Sequence, residues 1–249
     1  MHKYDKIVDE VINESDIVIE VLDARYPYET RNIQIENIIR KRKKKLIYVL
    51  NKSDLLDAVV DKINLDFEPY VFVSSKENLG TTRLRKLIIS LVKKKPANIG
   101  IIGYPNTGKS SLINILKHKK SAGTSPHPGY TRGMQKIKIM EGIYLIDTPG
   151  IIPENEKNKM KHALLNVKNV STMKDPDVIA SKIIEKVLFK DKKTIENLYK
   201  IKIENENPFE IIEKIALKFN WLLKGGIPNI DLASRKIISD WQNGKINFQ

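Results

Sequence analysis

The sequence predicts an α/β fold, a mostly parallel sheet with helices between its strands, followed by a small all-helical region. Three observations carry this. Apolar, β-branched runs alternate with helical periods from Ile17 to Ile102. A glycine-rich turn leads from one of those strands straight into a helix. Beyond Asp175 the strand signal stops and helical periods take over. The 249 residues, 41% hydrophobic and 30% charged, are enough to bury a core, and the balance argues against disorder. No cysteine is present, which excludes disulfides, thiolate metal sites and cysteine nucleophiles.

In chain order, the predicted strands are Ile17–Leu22, Leu46–Leu50, Tyr70–Val73, Ile99–Ile102, Lys136–Met140 and Ile143–Ile146. Helical periods lie between the first four, at Asn32–Lys43, Leu55–Asn64 and Thr82–Lys94. That alternation implies parallel pairing. Only Glu141-Gly142 separates the last two strands, which predicts a hairpin and one antiparallel edge. Residues 151–173 are polar and aperiodic. Helices follow at Asp177–Phe189, Lys193–Tyr199, Pro208–Phe219 and Asp231–Trp241. Asp175-Pro176 and Asn207-Pro208 have the form of helix starts, a capping side chain before a proline in the first turn. The division expected is one domain over residues 1–165 and a helical one over 166–249.

Gly103-Tyr104-Pro105-Asn106-Thr107-Gly108-Lys109-Ser110 matches G-x-x-x-x-G-K-[ST] between a strand and a helix opening at Ser111. By composition the four fixed positions match about once in 100 chains of this length. Its glycines let backbone N–H groups, including those of Asn106, Thr107, Gly108 and Ser111, wrap a phosphate chain at a helix N-terminus. Lys109 would reach the β- and γ-phosphates, and the Ser110 hydroxyl would bind Mg²⁺. Asp147-Thr148-Pro149-Gly150 closes another strand. Asp147 could hold Mg²⁺ through water, and Gly150 could bring an N–H to a γ-phosphate. Asn51-Lys52-Ser53-Asp54 closes the second strand. Guanine offers two parallel donors, N1–H and N2–H, and the Asp54 carboxylate can accept both. The Lys52 stem can cover the base, and Asn51 can tie this loop to the phosphate loop. Ser74-Ser75-Lys76 ends the third strand, where a backbone N–H could reach guanine O6.

These four boxes, N-K-x-D, a form of S-A-K, G-x-x-x-x-G-K-S and D-x-x-G, resemble those of Ras-like P-loop GTPases, but the order differs. The phosphate loop here follows the guanine boxes, as in a circularly permuted GTPase. The chain most resembles the YlqF/YawG family, related to assembly GTPases of the large ribosomal subunit. Asp23-Ala24-Arg25 resembles that family's D-A-R signature. Pro128-Gly129-Tyr130-Thr131-Arg132 resembles its P-G-x-T switch box, and Gly225-Gly226-Ile227-Pro228 with Asp240–Ile246 its C-terminal end. The resemblance implies GTP hydrolysis with Thr131, Lys109 and Gly150 in the catalytic centre. Mg²⁺ would be held by Ser110, Thr131 and Asp147. Asn106 stands where potassium-activated relatives bind K⁺, though it also suits a turn. Ile151 stands where many such enzymes carry a water-orienting glutamine. His2 and His127 are expected in solvent, and Trp221 and Trp241 in a helical core.

The net charge is +14, and it peaks at +7 over residues 96–168. The basic run Arg40–Lys45 exceeds what a helix C-terminus needs and would suit phosphate backbone. The partners expected are GTP or GDP and the large ribosomal subunit or its rRNA. No membrane is expected, and the chain is expected to be a monomer. Without cysteines or an apolar leader, the location expected is cytoplasmic.

Overall fold

The computed structural model describes residues 3–56, 63–117, 136–146 and 170–246. It falls into two compact units, one of residues 1–54 and 59–156, the other of 55–58 and 157–249.

The first unit is built on a six-stranded sheet of order β3-β2-β1-β4-β6-β5. Its strands are β1 (Ile17–Asp23), β2 (Lys45–Asn51), β3 (Tyr70–Val73), β4 (Ala97–Ile102), β5 (Lys136–Met140) and β6 (Ile143–Ile146). Every pairing is parallel except β5 with β6, which forms the predicted antiparallel edge. All seven residues of β1 are buried, as expected of a central parallel strand covered on both faces. On one face Leu84 and Ile88 of α4 (Thr81–Leu91) and Leu112 and Leu116 of α5 (Lys109–Leu116) pack on Ile19, Val21, Val49, Ile99 and Ile101. On the other, Val8 and Ile12 of α1 (Lys3–Glu14) join Ile35 and Ile39 of α3 (Ile33–Lys41) over Val18 and Ile102. A single turn, α2 (Pro27–Thr30), links β1 to α3.

Two elements differ from the sequence reading. The α1 helix was not predicted, although Val8, Val11 and Ile12 have the spacing of one helical face. The helical period at 55–64 begins as a 3-10 turn over Ser53–Leu55. Residues 63–64 are not helical, and 57–62 lie outside the described residues.

The second unit holds α6 (Pro176–Lys190), α7 (Lys193–Tyr199), α8 (Pro208–Lys218) and α9 (Ile230–Gln242). Ile183, Ile184, Ile212, Ile215, Ile237 and Trp241 are fully buried in it. Trp241 is thus core, as read. Trp221 is half-buried and stacks on Phe219 with ring centroids 4.9 Å apart. Asn207 caps α8 by accepting from the Phe209 amide, as predicted. Asp175 does not cap α6. It takes a left-handed backbone (φ 53°) that turns the chain into Pro176 without a side-chain bond. Among the described residues no helix is long and apolar enough to cross a membrane.

Candidate functional site

The loops at the carboxyl ends of β1, β2, β3 and β4 form the site, where open parallel sheets bind ligands. After β4 the chain turns through Gly103 (φ 148°), Asn106 (φ 61°) and Gly108 (φ 95°) into α5. A Cβ on Gly103 would stand 2.5 Å from the Val21 carbonyl. One on Gly108 would stand 2.1 Å from the Asn51 amide nitrogen. Only glycine permits these approaches and these angles. Thr107 is buried and its hydroxyl donates to the Tyr104 carbonyl (3.0 Å). Lys109 is buried as well, and its ammonium donates to the Gly103 and Tyr104 carbonyls at 3.0 and 2.8 Å. It is folded onto its own loop, a cation held among backbone dipoles at a helix N-terminus. Ser110 and Ser111 follow in the first turn of α5.

Asn51 joins this loop to the others. Its Nδ2 donates to the Thr107 carbonyl (2.8 Å), and its Oδ1 accepts from the Ser75 amide (3.0 Å). The phosphate-side loop and the β3 loop are therefore bridged by one buried side chain. Ser74 is buried, and its hydroxyl donates to Asp54 Oδ1 at 2.6 Å while accepting from the Glu77 amide. The Ser75 hydroxyl oxygen is buried without a hydrogen-bond partner among the described residues. Lys76 is exposed and has a loose ion pair with Glu77 (3.6 Å), worth little in solvent. Lys52 has a left-handed backbone (φ 64°), and its ammonium donates to Asp23 Oδ2 at 2.8 Å.

The described residues singled out from the sequence for a base and a phosphate chain are thus brought to the carboxyl end of the sheet. Thr131, Asp147 and Gly150 lie outside the described residues, as do His2, His127 and Ile151. Ser110, in the first turn of α5, is the described member of the expected Mg²⁺ set. Sequence reading gave Asp23 and Arg25 no task. Here the Arg25 guanidinium clasps the Asp23 carboxylate through Nε to Oδ1 (2.9 Å) and Nη2 to Oδ2 (2.8 Å). Burial would push the Asp23 carboxyl up. The Arg25 hydrogen bond and the Lys52 and Arg25 charges outweigh it and hold the group below the usual carboxylate range.

The basic run is engaged differently from its reading as a phosphate contact. Arg42 pairs with Asp9 and its backbone carbonyl, Lys44 donates to the Asn13 and Ser15 carbonyls, and Lys45 donates to the Leu91 carbonyl. Half of the run therefore fastens α1 and α4 to β2.

Residues 98–214 match the model of a family described as 50S ribosome-binding GTPase. The chain is 37% identical to an uncharacterized GTP-binding protein of Methanocaldococcus jannaschii over 248 residues, 98% of this chain and 66% of that protein. It is 38% identical to nucleolar GTP-binding protein 2 of Yarrowia lipolytica over 95% of this chain and 48% of that protein. The solved structure of GDP-bound YlqF aligns over 98% of both chains, with a TM-score of 0.64 and 25% identity. That alignment runs end to end in the permuted order. The chain belongs to the circularly permuted GTPases of the YlqF type. The family's Ras-like, mostly parallel sheet with a helical C-terminal region is the fold seen here. The chain spans 66% or less of the length of these curated relatives. The cytoplasmic location expected from composition is overturned, because the fungal and plant relatives are named nucleolar or nuclear proteins. A cysteine-free composition does not separate the cytosol from the nucleus, whose thiols are also kept reduced.

Proposed function

We propose that this GTP-binding protein hydrolyses GTP to GDP and phosphate and serves as an rRNA-binding assembly factor for the large ribosomal subunit. The observation that supports it most is Asn51, which fastens the phosphate loop to the loops carrying Asp54 and Ser75. In this reading Asp54 accepts the guanine N1–H and N2–H, Lys52 covers the base, and the loop of Ser74, Ser75 and Lys76 faces its O6. Backbone amides of Asn106, Thr107, Gly108, Lys109, Ser110 and Ser111 hold the phosphates. Lys109 leaves the Gly103 and Tyr104 carbonyls for the β- and γ-phosphates and neutralises the charge that builds on the leaving oxygen. Ser110 would hold Mg²⁺ with Thr131 and Asp147, and the ion would share that neutralisation. Water attacks the γ-phosphorus while its bond to the β-bridging oxygen breaks, and the Gly150 amide steadies the γ-phosphate oxygens. With Ile151 unable to orient water, Asn106 would hold K⁺, which would supply further positive charge, so turnover should be faster in KCl than in NaCl. The GTPase domain spans residues 1–165 and the helical domain 166–249, in a monomer.

The test is co-sedimentation with pre-large-subunit particles. Binding should strengthen with a non-hydrolysable GTP analogue and weaken with salt. Absence of binding at moderate salt would remove the ribosomal role. A second reading, a protein-partnered GTP/GDP switch, is favoured by the internal engagement of Arg42, Lys44 and Lys45, which removes cations from any RNA contact. It would survive that result.

A further inference from the structure

The D-A-R segment ends the central strand of the sheet, next to the strand that carries the guanine box. Asp23 pairs in register with Asn51, and the Ala24 amide donates to the Asn51 carbonyl at 2.8 Å. The Asp23 side chain is 4% exposed and that of Arg25 6%. Besides the two guanidinium bonds, Asp23 Oδ1 accepts from the Arg25 backbone amide (3.1 Å). The guanidinium lies over the Tyr26 ring, 5.2 Å from its centroid. The Asp23 carboxylate is therefore immobile, and its Oδ2 is also the partner of the Lys52 ammonium. The left-handed backbone at Lys52 aims its stem there.

A lysine is rich in rotamers, and a side chain that must lie flat against a base loses most of that freedom on binding. Anchoring the ammonium beforehand removes that loss from the binding step. What Asp23 supplies to Lys52 is above all a fixed position, since its charge is already shared with the Arg25 guanidinium. We propose that Asp23, clasped by Arg25, is a positioning residue for guanine-nucleotide binding, acting through Lys52. This rests on the reading of Asn51–Asp54 as the guanine site. The D-A-R segment is then an annex of the base pocket, contributed by the neighbouring strand.

The experiment is a double-mutant cycle on the full chain with a fluorescent GDP. Asp23→Asn should weaken binding about tenfold or more, mainly through faster release. Lys52→Met keeps the aliphatic stem and loses the anchor, and should weaken it comparably. In the Lys52→Met background Asp23→Asn should add nothing, and in GTP turnover the loss should fall on KM rather than kcat. Effects that multiply would overturn the proposal, because they would mean Asp23 acts on the fold and not on Lys52. If Asp23→Asn does not fold, D23N/R25Q removes the buried charges together and takes its place in the cycle. The unaltered GDP-bound protein gives an independent reading. Acetic anhydride should label Lys52 at least tenfold more slowly than exposed Lys76, and equal labelling would overturn the proposal. Asp54→Asn separates the proposal from its premise. Xanthine carries a carbonyl where guanine carries N2, so this variant should exchange guanine for xanthine preference. If it does not, the guanine reading fails. If it does and the cycle is additive, only the role of Asp23 fails.

Discussion

Asn51 is the residue on which the site turns. Replacing it with alanine strands the buried Thr107 carbonyl, which costs about 1–3 kcal/mol when unsatisfied, and the half-buried Ser75 amide, which costs less. Asn51→Ala should therefore weaken GDP binding at least tenfold and lower the melting temperature, measurable by fluorescence titration and calorimetry. A second prediction concerns Glu20, fully buried in β1 with one oxygen accepting from the Asn32 amide. Burial, with the negative charge of Glu36 added, outweighs the Asn32 bond and Arg31 and raises its pKa from 4.5 to about 8. Between those values the unfolded chain has lost the proton that the folded chain keeps, so stability falls as pH rises through that window. Glu20→Gln keeps the Asn32 bond and removes the titration. Its melting temperature should match wild type near pH 4.5 and exceed it by at least a few degrees near pH 8. A constant difference would contradict this. Asn51 was legible as the tie between the loops because it stands at fixed spacing at the end of a predicted strand. Asp23 was not, because an Asp-Ala-Arg segment says nothing of a lysine 29 positions away until strand register sets them side by side.

At the scale of elements, the phosphate loop and its helix were readable from two glycines, the Lys-Ser pair after them and the strand before. Gly108→Ala tests the reason. The new methyl meets Asn51 Nδ2 in a backbone conformation that alanine resists, so the variant should fold but lose GDP binding more than tenfold. The strands were readable because buried parallel strands have near-continuous apolar runs. The α1 helix was missed for a physical reason. Its 12 residues are too few to be helical alone in water, and its apolar face means little until a sheet is there to receive it. Ile12→Ala, at a fully buried position against Val18, Ile35 and Ile39, should destabilise by about 2–5 kcal/mol in denaturant titration. The basic run shows the opposite error. Six cations in sequence suggested a ligand, whereas three are fasteners between elements.

At the scale of the whole molecule, the order of the boxes carried more information than any single one. With the guanine boxes first, Asp147–Gly150 is followed along the chain by the helical unit, and no strand follows β6 among the described residues. Exchange of GDP for a GTP analogue should alter amide hydrogen exchange within residues 177–249, and identical profiles would remove this route of coupling. The internal pairing of Arg42, Lys44 and Lys45 also bounds RNA affinity. Removing Lys41 and Lys43 should lower the salt slope of particle binding by no more than about 2.

The central place of β1 has one more consequence, for how the molecule is made. β1 meets β2 across 28 residues of chain but meets β4 across 82, Ile17 pairing with Lys45 on one side and with Ile99 on the other. The base-side half is therefore translated first and can pair locally, while the phosphate side must close a long loop later, the slower step. A chain whose second half has not docked presents Asp54 but no phosphate cradle. GTP in the cell then stabilises only the completed sheet and draws folding to its end by mass action.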